Sequence, residues 1–256
     1  MSATGLDIVQ ASAFDRHKLI LWRAGVTAAA LVALYLLRDL EWEKVYPSAL
    51  FLLKGLGRSW LLAVLAIAIG VVGAIPLAIA RVYGPAPLRY LAVTLIEIIR
   101  ATPELMIIFW VYFTLPLVTG STVTSWEAAI GSLSVIAAAY LAEVIRAGIY
   151  SVPHGQTEAG ISTGMGHYQI FRYVILPQAI RNMVPALIAQ LVGLFKSTSL
   201  VYAIGVMEFF RSVNVTNNAV FAPYPLYLTL AAGYFISCFA ITRLVKRFDP
   251  KYQIVE

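Results

Sequence analysis

Among the charged residues within otherwise apolar stretches, Glu97, Arg100, Glu104, Glu143, Arg146 and Lys196 are the candidates for chemistry. A charge at the centre of a bilayer-spanning helix costs about 2.5 to 3.5 kcal/mol, so such side chains face a partner or a wet cavity. Glu143 and Arg146 sit three apart on one helical face, where they can neutralise each other as a structural ion pair or line a pathway. Arg100, Thr102 and Glu104 flank Pro103, which lacks an amide hydrogen and disfavours helical geometry at the residue before it. The exposed backbone and side chains of such a break can meet the carboxylate and ammonium groups of a zwitterionic solute; an interfacial Arg100 that only supports the fold is the plainer alternative. Lys196 opens the run Lys-Ser-Thr-Ser, whose Ser197 and Thr198 hydroxyls add donors. That cluster can attract an acidic solute, or serve gating or packing. Tyr140 and Gln190 can contribute hydrogen bonds from inward helix faces, or pack as satisfied core groups.

Other chemistries find no support. Gly193-Leu-Phe-Lys-Ser-Thr198 has Phe195 where a phosphate-binding loop needs glycine before its lysine, and the glycine spacing is also absent. No other stretch offers an ATP site. His17, His154 and His167 have no metal-ligand spacing, so no metal is expected. The single cysteine, Cys238, lies in an apolar stretch, cannot form an intrachain disulfide and packs as a small apolar residue.

The elements that must position these residues are membrane helices. Of 256 residues 60% are hydrophobic and 12% charged, about half the charged fraction of a soluble domain. The formal charge of +6 forms no basic patch, which excludes nucleic acid as a partner and leaves positive-inside anchoring. Met1 to Asp15 is polar and acidic, unlike a signal peptide.

We expect an all-α polytopic membrane protein with about six transmembrane helices, near residues 19–37, 59–81, 88–117, 128–150, 178–199 and 224–243. Ser59 to Ala80 contains no charge and is bracketed by Arg58 and Arg81. Arg16, Lys18, Arg81, Arg89, Arg172, Arg243, Lys246 and Arg247 fall on one side, which places both termini in the cytoplasm. The stretch 87–116 would measure about 45 Å as one helix, longer than a normal span, and Arg100 to Glu104 is its natural break.

Between the fourth and fifth spans runs a polar segment from Gly155 to Ala179. Thr157 to Thr163 can form two helical turns, Gly164 and Gly166 permit a sharp exit, and His167 to Leu176 can form a second helix running into Pro177. A short helix between glycine-rich corners is a rigid knob suited to a partner's groove. An amphipathic connector at the membrane surface is the plainer reading.

This segment resembles the coupling loop of ABC importer permease subunits, whose signature is Glu-Ala-Ala, a glycine after three residues, and Ile-x-Leu-Pro further on. Glu158, Ala159, Gly164, Leu176 and Pro177 fall in register; Gly160 stands where the second alanine is usual and Val174 where isoleucine is usual. The resemblance extends from about Lys54 to Arg247 and is to the polar amino acid branch, through Arg100-Ala-Thr-Pro-Glu104, Ala139 to Gly148, Ser151 to Gln156, and Lys196 to Leu200. In that branch an apolar residue is common at Glu104 and aspartate at Ser197.

The resemblance implies a coupling helix between spans four and five, with Gly155, Gln156, Glu158, Ala159, Gly160 and Gly164 facing a separate ATP-binding subunit dimer that holds ATP and Mg. It implies no cofactor in this chain and no enzyme activity of its own. Further implied partners are a second permease subunit, identical or homologous, an extracytoplasmic substrate-binding protein, and the lipid bilayer of a bacterial inner membrane. The implied substrate is a polar amino acid. Lys196 leans towards glutamate or aspartate, and Glu104 towards basic or neutral ones. The candidate pathway residues are Arg100, Thr102, Glu104, Tyr140, Glu143, Gln190, Lys196, Ser197 and Thr198. The expected organisation is 1–53 with the first helix and external connector, 54–247 as permease core, and 248–256 as a cytoplasmic tail. The competing class is a secondary transporter or channel, which would need its own coupling-ion site and usually repeat symmetry.

Overall fold

A computed structural model of the chain describes residues 21–28, 32, 35, 38 and 40–246. Much of the first expected span, the N-terminal segment with Arg16 and Lys18, Arg247 and the tail 248–256 lie outside the described residues.

Two 3-10 turns, Trp42–Lys44 and Tyr46–Ser48, lead into α1 (Ala49–Tyr83). Leu62, Ala66, Gly70, Ala74 and Ala78 recur every four residues along α1 and are all buried. They face α4 (Ser125–Tyr150), which buries Ala129, Leu133, Ile136 and Ala137 in the same core. A side chain at Gly70 would bring its Cβ within 2.5 Å of the Ala137 Cβ, so α1 and α4 approach to near backbone contact. Small residues let membrane helices pack closely where no hydrophobic effect pulls them together. Thr124 starts α4 sharply: its amide donates to Glu127 Oε2 (2.8 Å), and the Glu127 amide donates to Thr124 Oγ1 (3.3 Å).

The expected third span, 88–117, is not one helix. It divides into α2 (Ala86–Ala101) and α3 (Glu104–Thr119), with Thr102 extended at φ −90°, ψ 136° between them. Pro103 forces this, as its sequence position suggests. Each helix has 16 residues, about 24 Å of rise. Helix α2 carries Arg89, Glu97 and Arg100, whereas α3 has no charge beyond Glu104, so the apolar part is confined to α3.

By length and composition, Trp42–Tyr83, Ser125–Tyr150, His167–Ile204 and Pro223–Val245 can cross a bilayer, and Glu104–Thr119 is a shorter apolar helix. Their outward side chains are large and apolar, among them Leu61, Val72, Trp110, Phe113, Phe235 and Phe239. Hydrocarbon accounts for such a surface; water does not.

After α4 comes α5 (His154–Ser162), then a turn of α-helix (His167–Gln169), a π-helical stretch (Ile170–Ile175) and α6 (Leu176–Ser197). Sequence spacing placed the first of these at 157–163 and ended a separate helix at Pro177. The structure starts α5 earlier, at His154, and after the turn the helical chain runs from His167 through Pro177 without a break. Proline cannot donate the amide hydrogen an α-helix needs at that position, and the widened π register absorbs the mismatch. The Gln178 side chain donates to the Val174 carbonyl (2.8 Å) in that stretch. Of the two glycines expected to turn the chain, Gly164 has φ +78°, while Gly166 is extended at φ −72°, ψ 160°.

A 3-10 segment (Thr198–Ile204) extends α6, and Gly205 at φ +91° turns the chain towards α7 (Phe209–Val220). Helix α7 buries Phe209, Ser212, Val213 and Thr216 and returns the chain to α8 (Pro223–Lys246). Among the described residues there is no strand, in agreement with the all-α expectation.

Candidate coupling and translocation sites

Helix α5 stands off the bundle. Gly155, Gln156, Glu158, Ala159 and Gly164 are exposed, as is Ile161, while Gly160 is buried. Gly160 is where α5 rests on the π-helical stretch: a Cβ there would lie 2.9 Å from Ile170 Cγ1. The departure from alanine at this position therefore has a local cause, the buried Ile170 side chain beneath it. Two amide side chains fasten the segment to α6: Asn182 Nδ2 donates to Ser151 Oγ (2.9 Å) and Gln178 Nε2 to Gln156 Oε1 (3.4 Å). The result is a short helix with an acidic, small-residue outer face braced from below.

Arg81 of α1, Glu97 and Arg100 of α2, and Glu143 and Arg146 of α4 form one lattice. Glu143 accepts from Arg146 Nε (3.0 and 3.1 Å to its two oxygens) and pairs with Arg81 Nη1 at 3.1 Å. Arg81 also donates to Glu97 Oε1 (3.2 Å), and Arg100 lies 3.6 Å from the same oxygen. The Arg100 guanidinium sits 5.7 Å from the centre of the Tyr140 ring, and its Nε is buried without a hydrogen-bond partner. The structure thus joins Arg100, Tyr140 and Glu143 and supports the ion-pair reading of Glu143 with Arg146. It adds Arg81, which spacing marked only as the end of a span. Arg81 connects helices far apart in sequence, so no local pattern could have revealed its role.

At the helix break, Thr102 Oγ1 donates back to the Ile98 carbonyl (2.7 Å). Glu104 occupies the first turn of α3, half-buried, and forms no ion pair among the described residues. No described hydrogen bond, ion pair or ring contact joins this group to the Lys196 cluster, although α3 packs on the 3-10 segment that follows Lys196.

Lys196 is exposed, Ser197 half-buried and Thr198 fully buried. Their hydroxyls turn back onto the helix: Ser197 Oγ donates to the Gly193 carbonyl (3.1 Å) and Thr198 Oγ1 to that of Phe195 (2.7 Å). Lys196 is therefore the member of this cluster that meets the outside with its charge. Gln190 is half-buried on α6.

One buried acid escaped the sequence reading. Glu208, just before α7, is wholly buried and accepts from the amides of Phe210 (2.8 Å) and Arg211 (2.7 Å). It lies outside the four long apolar stretches. Burial pushes its carboxyl up to about 7, against the downward pull of these amides. Its position ahead of the amphipathic run Phe209 to Val220 was the available signal, an acid at a helix N-cap.

A family model described as binding-protein-dependent transport system inner membrane component matches residues 70–254. The glutamate/aspartate import permease protein GltK of Escherichia coli O6:H1 is 33% identical over 214 residues, covering 81% of this chain and 96% of its own. The glutamine transport system permease protein GlnP of Escherichia coli K12 is 29% identical over 216 residues, covering 84% and 99%. A crystal structure of an amino acid ABC transporter with histidines matches at TM-score 0.78 and 30% identity, over 83% of this chain and 99% of that one. A chain of the MetNI methionine ABC transporter, at TM-score 0.61 and 22% identity, shares the fold. With its membrane helices and its exposed loop helix, the chain belongs to the family of binding-protein-dependent transport system inner membrane components, as an ABC transporter permease subunit and not an enzyme.

Proposed function

We propose that this permease imports a polar amino acid, glutamate or aspartate first, using ATP and Mg bound by a separate dimer of ATPase subunits. The observation that carries the energy source is α5, an exposed helix with Glu158 and Ala159 on its outer face, braced on Ile170. The likeness to a glutamate/aspartate import permease and to a glutamine permease supports the substrate class. The exposed Lys196, with Ser197 in place of an acid, supports a negatively charged cargo.

In this reading Gly155, Gln156, Glu158, Ala159, Gly160 and Gly164 form or shape the surface that meets the ATPase. Lys196, Ser197 and Thr198 form one polar station on the pathway; Arg100, Thr102 and Glu104 at the helix break, with Tyr140, Glu143 and Gln190, form another. Two permeases, identical or homologous, enclose the pathway in a bacterial inner membrane, with both termini in the cytoplasm. A substrate-binding protein delivers the cargo from outside.

The test reconstitutes the permease with its ATPase and binding protein in liposomes and offers labelled glutamate, aspartate and glutamine in separate assays. ATP-dependent accumulation of glutamate or aspartate is expected. Glu158→Lys should abolish the binding-protein-stimulated ATP hydrolysis while the protein remains folded. Unchanged stimulation in that variant would overturn the coupling role, and accumulation of glutamine alone would overturn the acidic-cargo assignment.

A further inference from the structure

Behind the Lys196 corner lies a buried polar cluster that neither the coupling helix nor the ionic lattice uses. Glu208 accepts three hydrogen bonds, from the amides of Phe210 and Arg211 at the start of α7 and from Ser59 Oγ of α1 (3.2 Å). Ser59 Oγ in turn accepts from the Phe209 amide (3.1 Å). One carboxylate thereby caps α7 and ties it to a helix residue 149 positions away.

The cluster reaches the corner through Tyr234 of α8. The Tyr234 hydroxyl is buried between Glu208 and the hydroxyls of Thr198 and Ser199 without a hydrogen bond to any of them, so its ring makes the link by packing. Its ring packs on Phe195 at 5.6 Å and on Phe209 at 5.8 Å between centroids. Phe195 and Thr198 are fully buried, whereas Lys196 beside them is exposed. The direction in which Lys196 points is thus set by neighbours that rest on Tyr234 and the Glu208 cap. Two guanidinium groups hold the backbone in between: Arg58 donates to the Met207 carbonyl (3.2 Å) and Arg211 to that of Tyr202 (3.1 Å).

We propose that Glu208 is a positioning residue for translocation, which through Ser59 and Tyr234 fixes the Thr198–Met207 turn so that Lys196 and Ser197 face the pathway in one orientation. The proposal rests on the reading of Lys196 as a pathway residue. A cap for α7 alone needs only the two amides. The hydroxyl from α1 and the Phe195, Tyr234 and Phe209 rings are what connect the acid to the corner. With three donors on its two oxygens, the carboxylate gives up one contact when it gains a proton, and the turn loosens. The titratable and charged groups that the packed elements bring near it are Arg58 from α1, Tyr202 from the 3-10 segment, Arg211 from α7 and Tyr234 from α8.

The experiment measures amino acid imported per ATP hydrolysed in the reconstituted full complex, with both faces buffered to the same pH. It uses whichever of glutamate, aspartate and glutamine the wild type accumulates. In the wild type this ratio should fall several-fold as pH drops through about 7. Glu208→Gln should show the low ratio at every pH while assembling normally with the ATPase. Ser59→Ala should lower the ratio less and keep its pH dependence; it decides the matter if Glu208→Gln does not assemble. Lys196→Met serves as the reference for the corner itself. Wild-type ratios in both Glu208→Gln and Ser59→Ala, with Lys196→Met impaired, would overturn the positioning role alone. A wild-type ratio in Lys196→Met would overturn the corner as a pathway station, and the positioning role with it.

Discussion

At the scale of single residues, the acids in this chain divide by what surrounds them. Glu143 is ringed by Arg81 and Arg146 and pairs with both. Glu208 has no ion pair among the described residues and relies on two amides and a hydroxyl, so burial outweighs its hydrogen bonds. Its folded carboxyl titrates at about 7 against 4.5 ordinarily, which means the folded protein holds a proton that the unfolded chain has already released. The stability from this group is complete below pH 4.5 and lost as pH rises through about 7. The loss is on the order of 3 kcal/mol. Thermal melting of wild type and Glu208→Gln should therefore diverge with pH, the wild type losing ground as pH rises across that window. Parallel melting curves from acid to alkaline pH would show that the carboxylate is solvated in the folded state.

At the scale of elements, α5 owes its stance to one close contact. Gly160 lets α5 lie on Ile170, and a methyl group there must displace a branched, fully buried side chain. Gly160→Ala should cost about 1 kcal/mol and reduce stimulated ATP hydrolysis. Removing the obstacle with Ile170→Ala in the same chain, which deletes the Cγ1 that the new methyl group meets, should recover part of the lost hydrolysis, since residues in contact do not behave additively. Hydrolysis in the double variant no better than in Gly160→Ala would place the defect elsewhere on α5. The existence and rough position of α5 were legible in the sequence because its turn residues and glycines act within a few positions. Its earlier start at His154 and the π register through Ile170–Ile175 were not, because both depend on packing against the body of the protein.

At the scale of the whole molecule, a bundle with an apolar exterior carries an exposed short helix, α5, on the segment that joins α4 to α6. Reconstituted in liposomes without an ATPase, the chain should not accumulate glutamate on an imposed proton or sodium gradient; such accumulation would revive the secondary-transporter reading. Composition and local stereochemistry were enough for the apolar surroundings, the break before Pro103 and the presence of a short helix between α4 and α6. These depend on composition and on the stereochemistry of neighbouring residues, which are written along the chain. The long third stretch breaks where expected, into α2, which carries Arg89, Glu97 and Arg100, and α3, which has no charge beyond Glu104. Only the tertiary structure decided that Arg81 joins Glu97 to Glu143, and that Ser59 meets Glu208 across 149 residues. Those partnerships depend on how far each helix is rotated and how closely it approaches its neighbour. Contacts such as Gly70 on Ala137 set that approach, and no spacing along one segment encodes it.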